Sequence, residues 1–269
     1  FDVFPAACHD VLIAGLRRTI DYQDVRYGAE YLNRMAEIRS LDQRLGGAGR
    51  DYALTRAVAR HLALWMTFED TIRVADLKTR RSRFDRVQEE VRSKPDQLTY
   101  IVEFMHPRVE EIAETMPRPI GAWILRTGPV RRVLGKVFSS GRKVQTAKLS
   151  GFLLLYTLAG MRGMRRLTLR FAMEEALITD WLARIRRLAE QDYEFAIALA
   201  ECQTLVRGYS DTHERGLANY RRLLGVLEEV AAREQPAALL RQLRDAALAD
   251  EFGEQLAARL SEHDLKQVA

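Results

Sequence analysis

The sequence predicts an all-α protein, an irregular multi-helix bundle with at most one short extended segment near 98–104. Three observations predict it. Apolar residues recur at steps of three and four over most of the chain, the spacing of a helix face. Glycine and proline are sparse, 16 and 7 in 269 residues, which suits long helices and short connections. Hydrophobic residues make up 47%, enough for a sizeable core. The simplest division is one helical domain over 1–269, with a basic subdomain or flap at 117–148.

Taken in order, Cys8 to Ile20 and Tyr22 to Ile38 read as two helices, with Asp21 and Asp42 as cap or turn residues. The glycines of G-G-A-G-R (Gly46 to Arg50) make a loop. No strand precedes them, so they lack the context of a dinucleotide or phosphate loop. A long helix is expected from about Tyr52 to about Val91. Leu54, Val58, Leu62, Trp65, Phe68, Ile72 and Ala75 form its apolar stripe. Glu69 and Asp76 fall inside that stripe, with Arg73 and Arg80 at its margin and four residues on from each acid. That order suits helical ion pairs. Such pairs either lock a helix against its neighbour or line a cleft for an anionic ligand.

Lys94 to Asp96 ends this helix, and Leu98 to Phe104 is rich in β-formers. Pro107 suits the first turn of a helix running through Met116. Glu103 and His106 share the E-x-x-H spacing of di-metal helices, but such sites need two of these motifs and further acids, so no metal is expected. Pro117, Pro119, Gly128, Pro129 and Ser139-Ser140-Gly141 then cut the chain into short pieces. Lys148 to Met161 is apolar almost all round and reads as a centrally buried helix. Its longest apolar run, Gly151 to Met161, is shorter than the ~20 residues a membrane-spanning helix needs.

Two further helical stripes follow. One runs from Leu177 through Trp181, Leu188 and Leu199 to Val206, and the other from Leu217 through Leu223 to Val230. Pro236 opens another helix, and the tail from Glu251 is loosely amphipathic. Between the two stripes lies L-V-R-G-Y-S-D-T-H-E-R-G-L-A-N-Y, Leu205 to Tyr220. Gly208 fits a helix stop, Asp211 an N-cap and Glu214 the third residue of a capping box. Arg207, Tyr209 and His213 are left as candidate binding groups at the tip of a helix hairpin, with Asp211 beside them.

The charges are segregated. Thr115 to Met173 holds 12 of the 42 basic residues and no acid, while the other 30 face all 37 acidic residues. A basic middle in an acidic frame implies an acidic partner or an internal charge match. Arg131, Arg132, Lys136, Arg142 and Lys143 are its candidate docking face. The two cysteines, Cys8 and Cys202, provide no zinc, iron–sulfur or disulfide pattern, which points to a reducing, cytoplasmic setting. The opening F-D-V-F-P-A-A lacks a basic leader segment, and a start on Phe1 suggests a piece of a longer protein.

Four strings carry a family resemblance: Ala63 to Arg80 (A-L-W-M-T-F-E-D-T-I-R-V-A-D-L-K-T-R), Glu103 to Ile112 (E-F-M-H-P-R-V-E-E-I), Gly151 to Gly160 (G-F-L-L-L-Y-T-L-A-G) and Ala200 to Gly216 (A-E-C-Q-T-L-V-R-G-Y-S-D-T-H-E-R-G). They resemble the C-terminal helical region of the indolepyruvate (2-oxoacid) ferredoxin oxidoreductase subunits, over about Phe4 to Leu224. The resemblance implies an enzyme that decarboxylates arylpyruvates oxidatively to acyl-CoA with thiamine diphosphate, iron–sulfur clusters and ferredoxin. This chain has neither a G-D-G thiamine-diphosphate motif nor a cysteine cluster, so no cofactor is expected within it. The implied role is therefore an accessory or assembly domain that packs or docks catalytic domains, ferredoxin or CoA. The alternative from another class is a free-standing module whose basic segment contacts nucleic acid or another polyanion. An autonomous enzyme using His213 and Asp211 would need a partner group that the sequence does not place.

Overall fold

The computed structural model of this chain describes residues 3–91, 102–105, 108–138, 142–145, 148–250 and 252–265. Among them helix dominates, and the fold class is all-α, as the apolar spacing predicts. The elements begin with α1 (His9–Tyr22), α2 (Val25–Arg44), α3 (Ala53–Met66), α4 (Thr71–Thr79) and α5 (Arg81–Val91). There follow β1 (Val102–Met105), α6 (Val109–Thr115), α7 (Arg118–Arg126), α8 (Gly128–Phe138), β2 (Arg142–Gln145) and α9 (Leu149–Gly160). The chain closes with α10 (Leu169–Ala189), α11 (Tyr193–Glu201), α12 (Ser210–Gly225), α13 (Leu227–Ala231), α14 (Pro236–Ala249) and α15 (Glu254–Glu262). Of the extended segment expected near 98–104, residues 98–101 lie outside the described residues and the rest falls in β1, which pairs antiparallel with β2, Val102 opposite Gln145 and Met105 opposite Arg142. β2 has one apolar residue in four and no signal of its own; its partner makes it a strand. Glu103 stands in this ribbon and not in a helix, and His106 lies outside the described residues.

The chain divides into two compact units, residues 1–68 with 175–269, and residues 69–174. The expected flap at 117–148 falls within the second. In the first unit α1, α2 and α3 pack on one another, and α11 packs on α3 and α14. Trp65 of α3 meets Trp181 of α10 at 5.4 Å and Tyr220 of α12 edge-on at 5.5 Å between ring centroids. Such pairs add ~0.5–1.5 kcal/mol beyond their buried area. Tyr27 and Tyr31 donate their hydroxyls to the carbonyls of Met66 and Ala59, at 2.8 and 3.0 Å, so these buried phenols are satisfied.

Asp21 and Asp42 do not serve as caps. α1 runs past Asp21 to Tyr22, whose buried ring packs against Tyr27 and Phe68. Asp24 caps α2 instead, accepting from the Tyr27 N–H at 2.8 Å. Asp42 lies inside α2, fully buried. Its carboxylate accepts from the N–H and Oγ1 of Thr55, at 2.9 and 2.6 Å, and from the Tyr193 hydroxyl at 2.8 Å. One buried charge thus ties α2 to α3 and α11, and three donors offset its desolvation. Burial first, and then the bond to Asp42, raise the Tyr193 phenol to about 12, against a lowering bond from the Leu54 N–H. The glycine loop serves this anchor. Gly46 turns the chain at φ +80°, and a Cβ on Gly47 would stand 2.1 Å from Asp42 Oδ1.

The long helix expected over 52–91 is three helices. Thr67 and Asp70 break it first. The Thr67 hydroxyl bonds back to the Ala63 carbonyl at 2.8 Å and accepts from Arg18 Nε at 2.6 Å. Asp70 is extended and caps α4 through the Arg73 N–H at 2.6 Å. The apolar period survives the break because the two helices feed different cores: Leu62, Trp65 and Phe68 are buried in the first unit, Ile72 and Ala75 in the second. In that second unit α4 packs on α9, and α6 packs on α7 and α8 around Val109, Ala113 and Ile124.

Candidate functional site

The acid-free stretch 115–173 lies in the second unit, and part of its charge is matched internally. Arg165, 1% exposed, grips Asp70 with Nε at 2.8 Å and Nη2 at 3.4 Å. Arg170 reaches Glu114 and Glu174 at 2.9 and 2.8 Å. Burial works against the Arg170 charge, but Glu174 and then Glu114 outweigh it, and its pKa is raised. Arg131 pairs with Glu110. The acids come from the N-cap of α4, from α6 and from the first turns of α10, which frame the basic stretch in sequence.

Asp76 joins this unit's network with both arginines that flank it. Arg73 Nη1 lies 2.8 Å and Arg80 Nη2 2.7 Å from its Oδ2. Of the two pairs the spacing predicts, Asp76–Arg80 forms, whereas Arg73 turns to Asp76 and not to Glu69. Glu69, placed in the apolar stripe by the same spacing, precedes α4 and is exposed, because the helix breaks before it. Asp70 carries the buried pair instead. Its signal in the sequence is weak but present: an Asp three residues ahead of an arginine where a helix opens, which is cap spacing.

The candidate docking residues Arg131, Arg132 and Lys136 are all on α8 and exposed. Arg142 and Lys143 stand in β2. The larger surprise is α9. Expected to be buried centrally, it buries only Leu155 fully, against Ala75 of α4. Leu153, Leu154 and Tyr156 are 48, 50 and 62% exposed, and Leu149 is exposed as well. Leu149, Leu153 and Tyr156 follow one another at i, i+4 and i+7, so they form one ridge. Exposed Lys148 precedes the ridge, and Arg162 and Arg166 follow it. The period could not show this face. A helix apolar all round reads as buried on every side, and only tertiary packing decides which side stays open. A continuous apolar ridge on a folded surface marks an interaction site more often than an isolated exposed leucine does.

The Leu205 to Tyr220 stretch resolves differently. Gly208 does stop the preceding segment, with φ +77°. The N-cap of α12 is Tyr209, not Asp211, and it makes no side-chain cap bond. Asp211 lies in the first helical turn, because the helix starts two residues earlier than that cap would place it, at Ser210 with φ +55°. Arg207 and Tyr209 are exposed, whereas His213 is buried, so the three do not share one surface. Arg207 edges a hollow of about 60 Å³ with Thr212, Arg215 and Asn219, water-sized and too small for a substrate. Among the described residues no group of three or more His, Cys, Asp or Glu is placed to hold a metal ion, and no helix is long and apolar enough to cross a membrane.

Comparison with known proteins finds one family. No curated protein and no solved structure matches the chain. A family model matches residues 8–226, most of its length. The chain belongs to that family, the family of unknown function DUF6537.

Proposed function

We propose that this chain is an accessory docking domain of a 2-oxoacid ferredoxin oxidoreductase of the indolepyruvate type, inactive by itself. Two lines support the reading. The resemblance to the C-terminal region of those subunits extends over about 4–224, nearly the stretch 8–226 of the family match. The observation that carries it is the α9 ridge, Leu149, Leu153 and Tyr156 with Leu154 beside it, in a stretch without acids. Such a surface fits a partner that is apolar at its centre and acidic at its rim. A catalytic domain of the same enzyme would supply the apolar contact. The α8 cations Arg131, Arg132 and Lys136 are suited to an acidic ferredoxin or to the phosphates of CoA.

The test is co-expression with the thiamine-diphosphate-binding part of an indolepyruvate ferredoxin oxidoreductase. The two should co-elute on size exclusion. Leu153→Asp with Leu154→Asp should abolish co-elution while leaving the melting temperature of this chain unchanged, since both side chains are already half exposed. Reversing Arg131, Arg132 and Lys136 should weaken binding of ferredoxin or CoA to the assembly. This chain alone should not turn over arylpyruvate with thiamine diphosphate and an electron acceptor. Absence of co-elution, or co-elution indifferent to the α9 substitutions, would sink the proposal.

A further inference from the structure

A cleft of about 750 Å³ opens in the first unit, lined by residues of α1, α3, α11 and α14. Small-molecule sites span ~300–1,000 Å³. Val11, Leu64, Ile197 and Leu248 make its apolar wall. Into this wall is set His61, 6% exposed.

The tautomer of His61 follows from its neighbour. The Gln203 amide nitrogen donates to the Val206 carbonyl at 3.2 Å, which turns Gln203 Oε1 toward the ring. His61 Nδ1 lies 3.2 Å from that oxygen and so donates its proton to it. Nε2 is left as a lone-pair acceptor. Burial is the largest influence on the ring and lowers its pKa, with Arg60 and Arg244 acting in the same direction and Gln203 and Glu201 against it. Burial thus favours the neutral imidazole.

Three guanidinium groups line the same cleft. Arg56 pairs with Asp51, and Arg244 is held by Glu201 and Asp245 at 2.5 and 2.7 Å. Arg60 makes no ion pair among the described residues. Asp10, Glu201 and Asp245 balance the three arginines in number, so the lining has no net charge to draw a polyphosphate, and a carboxylate would be held by Arg60 alone.

We infer that this cleft is a binding site for a small monocarboxylate with an apolar body and an O–H or N–H donor. The carboxylate sits on Arg60, the body lies against Leu64 and Leu248, and the donor bonds His61 Nε2. The docking reading is independent of this one, since it concerns residues of the second unit.

Isothermal titration with 4-hydroxyphenylacetate, indole-3-acetate and phenylacetate tests the inference; the last has no donor. The first two should bind saturably, and phenylacetate about tenfold more weakly, the ratio that one lost hydrogen bond of ~1.4 kcal/mol produces. His61→Phe should erase the difference between donor-bearing and donor-free acids. Arg60→Glu, at an exposed position where folding is not at stake, should weaken all three about tenfold or more. No saturable binding at about 5 mM, a range that would still register millimolar Kd values, overturns the inference. So does an Arg60→Glu chain that binds as the unmodified one does.

Discussion

Replacing Asp70 by alanine removes two contacts at once, and the structure allows them to be separated. Asp70 accepts from the Arg73 N–H at the start of α4 and pairs with Arg165, whose side chain is 1% exposed. Breaking a buried pair by removing one partner costs about 3–5 kcal/mol, because the other charge is left without water or counter-charge. Losing an N-cap costs a further ~1 kcal/mol. Asp70→Ala should therefore destabilise the second unit by about 4–6 kcal/mol. Asp70→Asn keeps the cap and should lose about 1 kcal/mol less. Arg165→Met leaves the cap intact and should cost about 3–5 kcal/mol. The double variant Asp70→Asn with Arg165→Met leaves neither charge behind, and should be more stable than either single variant. Urea melts followed by circular dichroism would measure the losses. Hydrogen exchange at the α4 amides would assign them to this unit. An Arg165→Met loss below about 1 kcal/mol, the size typical of a surface pair, would refute the reasoning.

Two further predictions concern the first unit. Gly47→Ala should cost about 1–3 kcal/mol in a urea melt, because the new Cβ would collide with the buried Asp42 carboxylate; Gly46→Ala, which meets open space, should show only the left-handed backbone penalty of about 1–2 kcal/mol. The depressed pKa of His61 has a sign that can be worked out: the unfolded chain takes up the proton first, near 6.5, so its contribution to stability is full above about pH 6.5 and declines as the pH falls below it. Urea midpoints measured between about pH 5 and 7 should slope in the native chain and flatten in His61→Phe.

Much of the fold is legible in the residues. The stripes ending at Val206 and Val230 do lie on buried faces of α10, α11, α12 and α13, and Gly208 stops a segment at the place its type suggests. The Asp76–Arg80 pair follows from spacing alone. What misled was continuity. The apolar period from Leu54 to Ala75 is unbroken, so one helix was the natural reading, yet Thr67 and Asp70 divide it between two cores. Local hydrogen bonding by a threonine and an aspartate outweighs a periodicity that either arrangement satisfies.

The candidate site was legible only in part. The excess of cations over 115–173 is a fact of composition, but its division is not. Arg165, Arg170 and Arg131 meet acids from outside the stretch, while Arg118, Arg126 and Arg132 remain on the surface. His61 stood out by no motif, because its relevant partner, Gln203, is 142 residues away.

By itself the sequence determined an all-α chain, the apolar faces of most of its helices, and a basic middle without acids. These depend on short-range spacing and on counts, which the chain carries locally. Only the tertiary structure decided which face of α9 stays open, which arginines are buried on carboxylates, and which histidine lines a cleft. Each of those is settled by residues far apart in the chain, where burial and charge pairing depend on what the fold brings alongside.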